Sequence, residues 1–474
     1  MKKLILLLST LTLLLLSYAP TWAQEDDPVT QCVRGIELFN AHRDGEAFPL
    51  LEAGFNARTT TTFSDPNDLG YCAIILGWLR DVEGDSEGAL EAYYVSLDIF
   101  QQTGERWFEG MVLFSIAGSY RIQGQDTEAL SAYIEALAIF RNTDDQVGEK
   151  NSLIGIALIY DMKGQYTEAL STYEEALALS RALGDRVDEA TVLNNIAFIY
   201  DEQGRYVEAL NNYEEALKLS REVGDQHGEG VTLHNIAAVY DAQGRYVEAL
   251  IIYEEALVLR REIGDREGEG TTLNNIAGIY FAQGRYTEAL AFYEEALLIN
   301  RKVDNRNDEG ISLNGIALVY SVQGQYTKAF NTFEEALAIS REVSDRVGEG
   351  QVISNMAGVY LDQGRYIDAL NTYEEALAIR LEISDRVGEG QTLNNMAGVY
   401  LAQGRYLNAL NTYEEALAIY LKIDDQAGEG STLNNIARVY QEQGYYAEAL
   451  NTFEEALAIY RELGNQAGEG TTLN

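Results

Sequence analysis

The chain has 474 residues, 34 of them basic and 75 acidic, and a net charge of −41 at neutral pH. Such a charge repels nucleic acid and anionic lipid and leaves a neutral or basic partner easier to accommodate, although acids on outward helix faces also simply keep a long body soluble. Only four prolines occur, which suits an almost entirely helical protein.

Residues 1–23 stand apart. Lys2 and Lys3 precede an apolar run from Leu4 to Leu16, and Thr21-Trp22-Ala23 offers small residues ahead of Gln24. This is the pattern of a secretory signal peptide. The apolar run is shorter than the roughly 20 residues a membrane span needs, so cleavage is expected rather than anchoring, with no membrane insertion afterwards. No cysteine directly follows the run, which argues against lipid attachment. Cleavage removes two lysines and no acids, leaving a net charge of about −43. The expected destination is the periplasm or the cell exterior.

Residues 24–69 read as a degenerate N-terminal capping hairpin and loop. Val33, Ile36, Leu38 and Phe39 mark one helix and Phe48, Leu50 and Leu51 the next, while Thr59 to Thr62 and Asp65-Pro66-Asn67-Asp68 read as loop. Cys32 and Cys72 lie 40 residues apart. Two readings stand for them: a disulfide in an oxidising compartment, or two small buried apolar side chains.

From residue 70 to 469 one 40-residue unit recurs ten times, marked by Gly84, Gly124, Gly164, Gly204, Gly244, Gly284, Gly324, Gly364, Gly404 and Gly444. A fixed period of this length predicts a solenoid. In residues 270–309, Leu273, Ile276, Ala277 and Tyr280 form one helix face. Gly284 falls where the helix must stop in a left-handed conformation. Tyr286, Ala289, Leu290, Tyr293, Ala296 and Leu297 form the stripe of a second helix running to about Val303. Asp265 ahead of the unit reads as an N-cap, with Glu269 in the first turn favoured by the helix dipole. The small residues let the helices approach, and Tyr280, Tyr286 and Tyr293 read as core. The unit at 70–109 lacks the usual tyrosines, having Arg80 and Ser86 instead, which fits a capping role. Residues 470–474 begin a further, truncated unit, so that Phe453, Ala456 and Leu457 are expected to be partly uncovered and the chain to be a fragment or to continue.

Leu273, Ile276, Ala277, Tyr280, Gly284, Tyr286, Ala289, Tyr293 and Ala296 resemble the tetratricopeptide-repeat signature in order and spacing, in a 40-residue variant of the usual 34-residue unit. Asp345-Arg346-Val347-Gly348-Glu349-Gly350 is similar to the repeats of Pins-type spindle-orientation adaptors, and Thr392-Leu393-Asn394-Asn395-Met396-Ala397 resembles kinesin light chain repeats. Exported and cytosolic bacterial proteins with this repeat are similar, and some carry a caspase-like CHAT protease domain after it. The resemblance implies an all-α, right-handed superhelical solenoid of helix hairpins. It implies much less about function, because such arrays serve many pathways.

No catalytic constellation is present: there is no His-x-x-x-His, no Cys-x-x-Cys and no Gly-rich loop between strand and helix, so no metal or cofactor is expected. The Gly-Glu-Gly steps at 268–270 and its counterparts read as turns, since a central glutamate spoils an anion cradle. Glutamate pairs such as Glu174-Glu175, Glu214-Glu215 and Glu254-Glu255 read as a solvated outer face. His234 replaces an asparagine and reads as drift. The candidate binding residues are polar pairs at the centre of the first helices: Asn194, Asn195, Asn235, Asn274, Asn275, Asn355, Asn394, Asn395, Asn434 and Asn435. Asparagine costs roughly 0.5 kcal/mol in a helix interior. The resemblance puts these positions on the concave groove, where amides can grip an extended peptide backbone beside apolar positions Phe198, Phe281, Leu318, Leu361 and Leu401. The competing reading is that each amide bonds to the next hairpin. The function expected is an exported, non-enzymatic scaffold binding peptides or partner proteins. The alternatives are a substrate-selecting array of a larger enzyme, such as a CHAT protease, and an array that associates end to end.

Overall fold

The computed structural model describes residues 27–473. The expected signal peptide and Asn474 lie outside the described residues. Among these there are 23 α-helices and no strand. The chain divides into two compact units, Met1–Asp185 and Arg186–Asn474.

The first unit holds the hairpins α1 (Pro28–Asn40) with α2 (Asp44–Asn56), α3 (Pro66–Glu83) with α4 (Ser86–Thr103), α5 (Arg106–Ile122) with α6 (Asp126–Asn142), and α7 (Gln146–Met162) with α8 (Tyr166–Leu183). A disulfide joins Cys32 on α1 to Cys72 on α3, with the Cα atoms 5.5 Å apart. The segment expected to be loop through Asp68 is shorter than that. Asp65 accepts a hydrogen bond from the Asn67 N–H at 2.9 Å, and Pro66 opens α3. An Asp-Pro step is a turn signal and a helix start alike, and here the cap prevails. Arg80 is buried, donating to the Gly88 carbonyl and lying over the Phe55 ring, so it ties the terminal hairpin to the next one.

The second unit continues with α9 (Arg186–Glu202) and α10 (Tyr206–Val223), α11 (Gln226–Ala242) and α12 (Tyr246–Ile263), α13 (Arg266–Ala282) and α14 (Tyr286–Val303), and α15 (Arg306–Val322) and α16 (Tyr326–Glu342). It goes on with α17 (Arg346–Asp362) and α18 (Tyr366–Glu382), α19 (Arg386–Ala402) and α20 (Tyr406–Ile423), α21 (Gln426–Glu442) and α22 (Tyr446–Leu463), and ends in α23 (Gln466–Leu473). Each start and stop has a local cause. Asp265 accepts from the Gly268 N–H at 3.0 Å, as do Asp225, Asp345, Asp385 and Asp425 from their own third residues. Gly284 adopts φ +72°, and the following Arg285 N–H returns to the Tyr280 carbonyl at 2.8 Å, closing the end of α13. The turn between hairpins needs the same conformation. Gly264 supplies it freely, but Asp304, Ser344, Ser384 and Asp424 adopt φ of 58–59° at the equivalent place.

Alanines occupy the closest approaches: Ala277, Ala289 and Ala296 have no exposed surface. Tyr253, Tyr280 and Tyr293 fill the space between successive hairpins in one continuous core with Leu273, Ile276 and Ile299. Burial of each large apolar side chain contributes about 1.5–3 kcal/mol. At the far end Ala456 is fully buried, while Phe453 and Leu457 remain half-exposed. The second unit also touches itself across a long stretch of sequence. The Gln466 N–H donates to the Gln243 carbonyl at 3.0 Å, and the buried side chain of Leu463, the last residue of α22, lies against Gly204.

Candidate functional site

Within the second unit the first helices of successive hairpins (α9, α11, α13, α15, α17, α19, α21) pack on one another, whereas successive second helices make sparser contact. Closer spacing on one side curves the array toward that side, so the first helices line its inner face. All ten candidate asparagines lie on these helices, and the structure divides them.

One group is bonded between hairpins. The Asn235 amide donates to Asn194 Oδ1 at 3.2 Å, and Asn355 to Asn314 Oδ1 at 2.9 Å, each across 41 residues. Asn275 donates to His234 Nε2 at 3.1 Å and to the Tyr253 hydroxyl at 3.2 Å. Asn274 is buried, accepting from the Ser312 hydroxyl at 2.8 Å. Asn394 donates to Thr432 Oγ1 at 2.8 Å, 38 residues on. The pattern is a ladder: the first polar residue of one hairpin meets the second polar residue, or the serine or threonine, of the next. His234 takes an asparagine's rung, with burial first and Arg260 second lowering its pKa to about 3 and keeping the imidazole neutral.

The other group leaves amide atoms without a bonded partner in the fold. The side chains of Asn195, Asn395 and Asn435 are half-buried or exposed and make no hydrogen bond among the described residues. The Oδ1 atoms of Asn394 and Asn434 are buried without a donor. Four of these residues sit on adjacent helices, α19 and α21. Among the apolar positions Phe198 is 43% exposed, and Phe281, Leu318, Leu361 and Leu401 are half-buried. This face therefore offers amide groups and apolar surface together.

One feature differs from the expectation. The glutamate of the Gly-Glu-Gly step is more than a turn residue: Glu269 is buried and held by Arg261 Nε at 2.7 Å and Arg266 Nη1 at 2.6 Å. Glu309 and Glu349 are held likewise by Arg301 and Arg306, and by Arg341 and Arg346. The outer glutamate pairs are exposed, as expected, and Glu255 and Glu295 each also accept from an arginine of the preceding hairpin at 2.6 Å. The recurrence of Arg, Arg and Glu at fixed spacing, as in Arg261, Arg266 and Glu269, was the signal available.

The acids Asp201 and Asp241 stand at one position of α9 and α11 where later hairpins carry Phe281, Ser321, Leu361 and Leu401. Burial raises both to about 6, with Glu202 adding to Asp201. Among the described residues no cluster of His, Cys, Asp or Glu is placed to hold a metal ion, and no helix is long and apolar enough to cross a membrane.

No curated protein matches the chain. Solved structures do. Aspartyl phosphate phosphatase F from Bacillus subtilis superposes with a TM-score of 0.53 at 11% identity, over 76% of this chain and 96% of that one. The apo form of the quorum sensor NprR from B. thuringiensis gives 0.53 at 14% identity, over 74% and 97%. A Rap protein complexed with competence and sporulation factor gives 0.51 at 14% identity, over 76% and 98%. At these identities the likeness is one of fold. The tetratricopeptide repeat pattern itself matches residues 109–182, 188–262, 268–342, 308–382, 348–422 and 388–462. Those matches span most of the chain, which belongs to the tetratricopeptide-repeat family and is an all-α repeat solenoid of interaction-scaffold type.

Proposed function

We propose that the chain is an exported, non-enzymatic scaffold whose inner face holds an extended segment of a partner protein or peptide. The observation that carries this is the cluster on α19 and α21. Asn395 and Asn435 have no partner, and Asn394 and Asn434 keep carbonyl oxygens without a donor, beside Leu361 and Leu401. The accessible amides of Asn395 and Asn435 are the groups a docked peptide backbone can bond, each such bond being worth roughly 0.5–1.5 kcal/mol. The bonded asparagines at 194, 235, 274, 275 and 355 brace the face and fix its curvature. The Rap protein complexed with competence and sporulation factor shares the fold and lends the same direction to the reading. Export is supported by the charge and apolar pattern of residues 1–23 and by the disulfide between Cys32 and Cys72, which suits an oxidising compartment.

The test is capture. Residues 24–474 and the variant Asn394→Ala/Asn395→Ala/Asn434→Ala/Asn435→Ala, matched in helicity, are incubated with extract of the source cells. Partners held by the parent and lost by the variant support the reading, and an identical captured set rejects it. A mature N-terminus at Gln24, read by mass spectrometry, tests export separately.

A further inference from the structure

We propose that the part of the inner face around Asp201, Glu202 and Asp241 takes a cationic side chain, lysine or arginine, of the segment bound there. This rests on the inner-face reading above and names the chemistry of one end of it.

Three observations converge. The first is the absence of any counter-charge. Among the described residues no lysine or arginine pairs with Asp201, Glu202 or Asp241. The buried acids Glu269, Glu309 and Glu349 of the same unit are each held by two arginines. Those three acids carry their counter-charge within the fold, whereas the half-buried Asp201 and Asp241 and the neighbouring Glu202 do not.

The second is Tyr213. It has no exposed surface, its hydroxyl has no hydrogen-bond partner, and it feels the charges of Asp201 and Glu202. In the first unit the equivalent Tyr93 hydroxyl donates to Asp81 at 2.8 Å. The Tyr213 hydroxyl is therefore a buried polar group left unpaired beside the two carboxylates. Tyr253 extends the same site: its hydroxyl accepts from Asn275 and lies in the field of Asp241 and Asp201. The acids and the amide ladder therefore meet on α9, α11 and α13.

The third is the change along the face. At the position of Asp201 and Asp241, the next hairpins carry Phe281, Ser321, Leu361 and Leu401. An extended chain lying along the first helices meets acid at one end and apolar surface with unbonded amides at the other. A segment with a cation at one end and apolar side chains toward the other matches that order. Carboxylates desolvated without a partner are raised to about 6, and an incoming cation removes that penalty.

The experiment uses a fluorescein-labelled twelve-residue peptide with two lysines at one end and leucines alternating with serines at the other. A second peptide has glutamine in place of each lysine. Three proteins are titrated: the parent chain, Asp201→Asn/Glu202→Gln/Asp241→Asn, and a control that removes equal charge from exposed second-helix positions, Glu374→Gln/Glu414→Gln/Glu454→Gln. The inner variant is expected to bind the lysine peptide at least 10-fold more weakly than the parent, the control to stay within 2-fold, and the glutamine peptide to ignore both. Neutralising unpaired, desolvated carboxylates relieves strain, so the inner variant remains folded by circular dichroism. Equal losses in the inner variant and the control reduce the effect to general charge and overturn the proposal. So does undetectable binding of the lysine peptide to the parent at millimolar concentration. The variant Asn394→Ala/Asn395→Ala/Asn434→Ala/Asn435→Ala separates the two ideas. If it alone loses the lysine peptide, the inner face binds but the cation site is wrong; if neither it nor the inner variant loses affinity, both fall.

Discussion

The arginine-held glutamates make a prediction whose sign reverses between two copies of one position. Glu349 on α17 is 4% exposed and held by Arg341 Nε at 2.7 Å and by Arg346. Burial alone pushes its carboxyl up, but the two arginine hydrogen bonds outweigh that and hold it below its ordinary value. Glu429 on α21 occupies the same position of its own hairpin, where Leu421 and Gln426 replace both arginines. Burial, with Asp424 and Glu455 behind it, raises Glu429. The change Glu349→Gln removes a charge-assisted contact. Its arginine partners are 53% and 38% exposed, so water recovers part of the loss, leaving a cost of about 1–2 kcal/mol. The same change at Glu429 removes an unpaired charge and is neutral or stabilising. The repeat array opens locally rather than all at once, so the assay is amide hydrogen exchange of α17 and α21 followed by mass spectrometry. Glu349→Gln speeds exchange in α17 by roughly 5- to 30-fold, since 1.4 kcal/mol is a factor of ten. Glu429→Gln leaves α21 unchanged or slower. The linkage follows the same signs. A lowered carboxylate stabilises above its ordinary value and loses that contribution as pH falls, whereas a raised one penalises the fold increasingly as pH rises. The gap between the two variants therefore widens from acid to neutral pH. Equal acceleration by both variants refutes the argument that the arginine pair decides the sign.

Other outcomes follow from single contacts. Ser344→Gly and Ser384→Gly relieve side chains held at φ 59° and 58°, and each slows local exchange by an amount equivalent to about 0.5–1 kcal/mol. The disulfide closes a separation of 40 residues, so replacing Cys32 and Cys72 with alanine exposes residues 28–56 to proteolysis, with a loss of about 4 kcal/mol in the chain-entropy picture. Gly315→Ala puts a Cβ 2.4 Å from the Tyr293 ring and destabilises α15 by about 1–3 kcal/mol, seen as faster exchange there. Asp201 and Asp241 stay protonated in the fold up to about pH 6, whereas an ordinary aspartate has released its proton by about pH 4. Local stability there falls as pH rises between those values, and affinity for the lysine peptide rises through pH 6. The groups facing them are Glu202, Tyr206, Tyr213, Tyr246, Tyr253 and Tyr293, with Asp425 reaching Tyr206.

The helices were legible because their causes are local. Gly284 stops α13, Asp265 caps it, and the alanine and tyrosine stripes repeat at helical spacing, so fold class follows from one unit written many times. The asparagines were legible only as positions. Whether an amide faces a ligand or the next hairpin depends on a residue 38 or 41 places away, and that distance is set by packing. Asn235 finds Asn194, while Asn395 finds nothing, though both occupy the same place in their units. Asp201 and Asp241 escaped notice as two among 75 acids, because composition does not show which charges lack a partner. The contact of Gln466 with Gln243 depends on rotation accumulated over several hairpins, which no single repeat encodes.

The central claim is that the inner face of the second unit holds a polypeptide segment. Hydrogen exchange of the chain with and without a captured partner tests it most directly, comparing the first helices α19 and α21 with the second helices α18 and α20. The account predicts slowed exchange in α19 and α21, and no such slowing when Asn394, Asn395, Asn434 and Asn435 are alanine. Protection confined to α18 and α20 would place the partner on the outer face and contradict it.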